Sequence, residues 1–196
     1  MNNALSDIGV TIIQPLFTLA LMLIATRFLA QLCGVSSYNP ISMALRRITD
    51  PVVLPLGRLL PGGKRVNPGS LLALVLCQML FIALMFSLIG RLDAFSFIQA
   101  AIWSLIGGAS LIINIVFYSV IATIVVSFLA PQSAHPAVEF VWQLTEPVMA
   151  PLIQLLPSMG GLDFSPISLF SALNVVRVSR GHMAAAASLP QFVIGI

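Results

Sequence analysis

The sequence predicts an all-α membrane protein: about four transmembrane helices in two tandem span–loop–span repeats, with short interfacial helices in each loop. Three observations predict it. Of 196 residues, 59% are apolar and only 8% are charged, whereas soluble domains carry about 25% charged residues. The apolar residues fall in blocks of about twenty, the length of helix that crosses a bilayer core. Sliding the chain along itself by 96 residues superimposes two proline-rich loops without a gap, from Pro40 on Pro136 to Leu60-Pro61 on Leu156-Pro157.

The first repeat is placed at 1–92, with spans at about 10–33 and 70–90 and a loop at 34–69. In the first span Pro15 sits in the opening turns, where lost backbone bonds are most easily replaced. Arg27 lies inside the run. Its long stem is expected to snorkel toward the basic loop that follows, a buried functional charge being the alternative. The run exceeds the apolar core of a signal peptide, so it reads as an uncleaved span. In the second span twelve residues are Leu, Ile, Val or Phe. They contribute about −4 to −7 kcal/mol toward insertion, which Gln78 and Ser87 cannot cancel. Cys33 and Cys77 read as small packing residues rather than a disulfide.

The second repeat is placed at 93–196. From Phe97 the chain is apolar for over thirty residues, and Gly107-Gly108 interrupts it. The expected division is an interfacial helix at about 94–104 and a span at about 105–130, two short half-spans being the alternative. Ala100, Ser104 and Gly108 lie four apart, a small-residue spacing that lets membrane helices approach closely. A loop at 131–164 follows, then a weak span at about 165–188, where Arg177, Arg180 and His182 come soon after the apolar stretch.

In the aligned loops Thr49 falls on Thr145, Pro51 on Pro147, Pro55 on Pro151 and Asp50 on Glu146. Proline constrains the backbone wherever it sits, so its ordered recurrence marks an internal repeat. Each copy crosses an even number of times, which implies parallel rather than inverted repeats. Asn39 caps a helix beginning at Pro40, with Ile41, Ala44, Leu45 and Ile48 as its apolar face. Pro51 is expected to end that helix and begin another. Arg46, Arg47, Arg58, Lys64 and Arg65 all lie in loop one, whereas loop two has Glu139, Glu146 and Asp163 and no Lys or Arg. Basic loops stay cytoplasmic, so both loops are expected inside and both termini outside. Arg177 and Arg180 run against this, and a loop two lying outside would require a second crossing in the long third apolar region.

Tyr38-Asn39-Pro40, Thr49-Asp50-Pro51, Pro55-Leu56 and Leu60-Pro61 follow a recognisable pattern. So do His135-Pro136, Thr145-Glu146-Pro147, Pro151-Leu152, Leu156-Pro157 and the run from Met159 to Pro166. Over nearly the whole chain this resembles the YggT family of bacterial membrane proteins, which includes the YlmG proteins of chloroplasts and cyanobacteria, in its two-copy form. Two features depart from the pattern: Gly57-Arg58 stands where a doubly basic pair is common, and the last span is poor in large apolar residues. The resemblance implies a multi-pass protein of the bacterial inner membrane. Roles it suggests are osmotic or ion tolerance, membrane organisation near division or nucleoid machinery, and cytochrome-complex assembly. It carries over no catalytic residue.

No enzyme chemistry is legible. His135 and His182 have no Cys or acid at ligand spacing, so neither a metal nor another cofactor is expected. There is no HExxH motif, phosphate-binding glycine loop or pair of acids within a span. The intramembrane polar residues Arg27, Gln78, Asn114 and Asn174 fit interhelical hydrogen bonding better than a transport pathway. The expected function is a non-enzymatic scaffold or assembly factor, with a small oligomeric channel or ion-flux regulator as the alternative. Pro40, Thr49, Pro51, Pro55 and Pro61, with Pro136, Thr145, Pro147, Pro151 and Pro157, would shape the two loops. The five basic residues of loop one would contact lipid headgroups or an acidic partner. Membrane lipids, other membrane proteins and further copies of the chain are the expected partners, and nucleic acid is not, because no stacking aromatics accompany the basic residues.

Overall fold

Among the described residues, three helices are long and apolar enough to cross a bilayer. A computed structural model describes residues 2–59, 68–129, 133–155, 170–171, 174–179, 181–182, 188–190 and 192–195. Within these, α1 runs Asn2–Cys33, α2 Pro40–Gly57, α3 Pro68–Leu88, α4 Phe97–Leu129 and α5 Pro136–Leu155. A single 3-10 turn, Leu92–Ala94, links α3 to α4. No strand occurs among the described residues.

The apolar part of α1, Ile8–Cys33, has 26 residues, roughly 39 Å of helix at 1.5 Å per residue. That exceeds a bilayer core of about 30 Å, so a crossing by this helix would require it to tilt or project. It packs against α3, which buries Ser70, Leu74, Gln78, Phe81, Ile82 and Met85. These positions recur at helical spacing and form the inner face of α3, against α1 and α4. The outer surfaces stay apolar: Leu16, Leu19, Leu80, Ile102 and Leu105 are all exposed, as lipid-facing residues must be.

The division expected at Gly107-Gly108 does not occur. The 33 residues of α4 form one helix, with both glycines buried inside it. Their role is close approach. A Cβ at Gly108 would lie 3.3 Å from Leu74, and one at Gly107 would lie 2.7 Å from Gln78 Nε2. Ala100 and Ser104 are buried on the same stripe, so the small-residue spacing marks a packing face. The separate interfacial helix at 94–104 is replaced by the 3-10 turn and the first two turns of α4.

The expected break at Pro51 is also absent: α2 continues through Pro51 and Pro55, and α5 through Pro147 and Pro151. All four prolines are exposed. Pro51 and Pro55 deprive the carbonyls of Arg47 and Pro51 of their helical donors, and both of those residues are exposed too. The broken bonds therefore share one outer stripe, where polar surroundings can satisfy the carbonyls, while the inner side keeps its ladder. Asn39 caps α2 as expected, its side chain accepting from the Ile41 N–H at 2.9 Å. The buried face differs from the expected one. It consists of Ser42, Leu45, Thr49 and Val53, whereas Ala44 is exposed and Ile48 is 59% exposed. The helix is turned to bring Thr49 against α1.

The weak fourth span expected at 165–188 falls largely outside the described residues. Residues 174–179 of it are helical. The Arg177 guanidinium lies 5.0 Å from the centre of the Phe117 ring and 5.8 Å from that of Tyr118, a cation–π arrangement on α4. The chain's last described stretch returns to the core, where Val193 and Ile194 are buried.

Candidate functional site

The polar centre of the molecule is the elbow between α1 and α2. Arg27 is 5% exposed and does not snorkel. Its guanidinium pairs with Asp50 Oδ1 at 2.7 Å, donates to Thr49 Oγ1 at 2.7 Å, and reaches the Arg46 carbonyl at 3.4 Å. Thr49 in turn donates to the Leu45 carbonyl at 2.6 Å. A buried charge is retained only where it is matched and hydrogen-bonded, and α2 supplies both a charge and acceptors. This is why the sequence tolerates an arginine within an apolar run. Arg27 Nε and Ser42 Oγ have no hydrogen-bond partner. Both residues line a cavity of about 20 Å³, room for about one water.

The second elbow repeats the arrangement with different chemistry. Thr123 of α4, which stands 96 positions after Arg27, meets Thr145 of α5, which stands 96 after Thr49, at 3.1 Å. Thr145 also donates to the Val141 carbonyl, as Thr49 does to Leu45. Glu146 takes the place of Asp50 but has no arginine from α4 beside it. The two elbows are joined: Asn39 Nδ2 donates to the Pro136 carbonyl at 2.9 Å, and the Ser36 N–H to Gln143 Oε1 at 2.8 Å. The ends of α1 and α4 thus reach a common layer.

Each elbow carries a groove. Along α2, Ser37, Pro40, Met43, Ala44, Arg46, Arg47 and Asp50 line about 600 Å³. Along α5, Glu139, Trp142, Gln143, Glu146, Met149 and Ala150, with Thr123, Ser127 and Thr145 beneath, line about 720 Å³. The α5 groove reaches down to α4 because Thr123 is short, whereas Arg27 fills the equivalent space behind α2. The first groove presents two arginines and the second two glutamates.

The sequence-marked residues divide accordingly. Arg46 is half-buried and donates to Ser37 at 2.8 Å. Arg47 is exposed, and so is Arg58, which caps the end of α2. Lys64, Arg65, Pro61 and Pro157 lie outside the described residues. Gln78 is fully buried and donates to the Ile194 carbonyl at 3.0 Å, and Asn114 donates to the Gly195 carbonyl at 3.0 Å. Asn174 is exposed. Both cysteines are free and half-buried. Among the described residues no three of His, Cys, Asp and Glu are grouped as a metal ion would need. Sequence reasoning missed Thr123, which the 96-residue offset from Arg27 would have exposed, and Asn39's bond to Pro136, for which there is no sequence signal.

The class that the described residues define is an all-helical protein with three helices long and apolar enough to cross a membrane. The chain matches the CCB3/YggT family at residues 6–88 and again at 102–180, and it belongs to that family. The two matches begin 96 residues apart, the offset that aligns the loops. An uncharacterized protein of Pseudomonas aeruginosa is 35% identical over 188 residues, 95% of each chain. The uncharacterized protein in the proC 3′ region of Vibrio alginolyticus is 32% identical over 176 residues, 88% of this chain and 92% of that one. The uncharacterized protein YggT of Escherichia coli is 28% identical over 180 residues, 90% of this chain and 88% of that one. No solved structure matches.

Proposed function

We propose that this chain is a non-enzymatic multi-pass protein of the bacterial inner membrane, built as two span–elbow–span repeats, whose elbows dock lipid or partner proteins and so organise membrane complexes. The observation that carries this reading is the way α2 and α5 are held. Each is fixed by a buried threonine to the preceding span, and the two are fixed to each other by the Asn39 and Ser36 bonds. A helix so held keeps its outer surface rigid, and a rigid surface loses little conformational entropy on binding. That surface is amphipathic, combining Met43, Ile48, Val52 and Leu54 with Arg47 on α2.

The competing role, a small channel or regulator of ion flux, needs polar groups free to face a pathway. Arg27, Gln78 and Asn114 instead donate to internal partners, and although Asn174 is exposed and Gln78 Oε1 is unpartnered among the described residues, the three buried or half-buried donors favour docking.

Photo-crosslinking amino acids placed at Met43, Ile48, Val52 and Trp142, with exposed Ile102 on α4 as the lipid-facing control, test the docking reading in cells. Discrete protein adducts at the elbow positions and none at Ile102 are expected. Purified protein in liposomes supplies the opposing measurement. An ion flux that Arg27→Met abolishes, with no elbow adducts, would establish the channel instead.

A further inference from the structure

The two grooves are the same surface written in opposite charge. Met43, Arg46, Arg47 and Asp50 on α2 correspond, 96 positions on, to Glu139, Trp142, Gln143 and Glu146 on α5. In the first repeat the space between span and elbow holds a guanidinium, paired with Asp50 and bonded to Thr49. In the second repeat the equivalent threonine and carboxylate are present, and the arginine is replaced by Thr123. The space it would take is part of the 720 Å³ groove. Glu146 is exposed and has no hydrogen-bond or ion-pair partner among the described residues; Glu139 accepts from Gln143 Nε2 at 2.8 Å. The α5 groove is therefore shaped and charged for a guanidinium that the described residues of its own repeat do not supply.

The chain carries a suitable donor on its other elbow. Arg47 is exposed on α2 and has no hydrogen-bond or ion-pair partner among the described residues. Its own α5 groove is a separate cavity, reached by no residue of α2. A second copy overcomes that separation. Copies inserted in one membrane share orientation and depth, and α2 and α5 lie in one layer because Asn39 and Pro136 are bonded. Side-by-side copies therefore bring the basic groove of one level with the acidic groove of the next. Opposite charges in facing grooves fix register and favour the correct encounter.

We propose that two copies of this chain associate through their elbows, Arg47 of one entering the α5 groove of the other and pairing with Glu146 as Arg27 pairs with Asp50 within the first repeat. Trp142, partly exposed at the groove, covers the guanidinium and supplies the aromatic face on which arginine stacks. Such a contact is heterologous, so it closes into a pair only if both grooves engage at once and otherwise extends head to tail. This inference rests on the reading of the elbows as docking surfaces and names the partner.

Two differently tagged copies, co-expressed and solubilised in mild detergent, test it by capture of one through the tag of the other. Wild-type copies should capture each other. R47E should lower self-capture by roughly tenfold, and E146R should do the same. Co-expressing the R47E chain with the E146R chain should restore capture between them to within about twofold of wild type, because the E146R chain keeps Arg47 and the R47E chain keeps Glu146, so the two still face each other with opposite charge. Neither side chain contributes to the core, so the thermal unfolding of both variants should match wild type and separate lost association from lost folding. The inference falls if wild-type copies do not capture each other. It falls equally if the reversals leave capture unchanged, or if mixing the reversed chains fails to restore it. Loss of R47E binding to vesicles containing anionic lipid, with self-capture intact, would assign Arg47 to headgroups and also overturn it. Elbow adducts to other proteins with no self-capture would sink this inference and leave the docking reading standing.

Discussion

Removing Asp50 and removing Arg27 break the same ion pair but leave different remainders, because Arg27 is 5% exposed and Asp50 37% exposed. Asp50→Asn strands a guanidinium inside the protein, with Thr49 and the Arg46 carbonyl as its remaining acceptors. Breaking a buried pair in this way costs about 3–5 kcal/mol, and those two acceptors reduce the expected loss to about 2–3 kcal/mol. Arg27→Met leaves a carboxylate that can turn outward, at a cost of about 1 kcal/mol. The double substitution should resemble Arg27→Met alone, giving a coupling of more than about 1 kcal/mol. Denaturant unfolding in mixed micelles measures all three. If Asp50→Asn costs no more than Arg27→Met, the pair is not buried as described. At this scale the sequence was legible in part. Arg27 stood out as a charge in an apolar run, and Asp50 and Thr49 stood out as members of the repeated motif. Their meeting across more than twenty residues was not legible, because it depends on which way α2 is rolled against α1. The apolar pattern alone placed Ala44 and Ile48 inward, and the demand of Arg27 for partners overrides it.

Helix boundaries were misjudged wherever a residue type has two uses. Gly107-Gly108 and Pro51 can each stop a helix, and here neither does. Glycine also admits a close neighbour, and the geometry separates the two functions by prediction. A Cβ on residue 107 would sit 2.7 Å from Gln78 Nε2, 2.9 Å from Val193 and 3.0 Å from the backbone oxygen of Ile194. Gly107→Ala should therefore destabilise by about 1–3 kcal/mol through overpacking. A Cβ on residue 108 would meet only the Leu74 side chain, at 3.3 Å, which can yield by a few tenths of an ångström. Alanine gains about 1 kcal/mol over glycine in helix propensity, so Gly108→Ala should stay within about 1 kcal/mol of wild type. The same micellar unfolding distinguishes them. Two equal losses would mean the pair forms a joint in α4, as the sequence alone suggested. For the prolines, the deciding information was spatial. Their lost donors share one exposed stripe, and that is visible only once the roll of α2 and α5 is known.

For the whole molecule, the three long apolar helices and the 96-residue offset were legible because each is written in many residues: twenty-residue apolar blocks and an ordered series of prolines. The closing of the bundle by the chain's last described residues was not, because it is written in four or five residues with no periodicity. Gln78 donates to a carbonyl 116 positions away, at Ile194, and Asn114 to Gly195. Phe192 lies edge-on to both Phe81 and Phe86, at 6.4 and 5.7 Å between ring centres. Gly195 holds φ +107, a region closed to most side chains, and lies against the backbone of Gly107 and Leu111. These contacts make Gln78 conditional on the tail. With the tail in place, Gln78→Leu loses a buried bond and crowds Gly107, a cost of about 1–2 kcal/mol. Removing residues 192–196 uncovers the aromatic cluster and takes away the acceptor of Gln78, which then carries a buried amide with nothing to bind. In that shortened chain the sign should reverse, with Gln78→Leu raising stability by about 1 kcal/mol because a buried amide is exchanged for an apolar group. Unfolding midpoints of the four chains, full-length and shortened, each with Gln or Leu at position 78, measure the coupling. A leucine that is equally harmful with and without the tail would show that the Gln78–Ile194 bond contributes nothing, and that the last residues merely rest on the bundle.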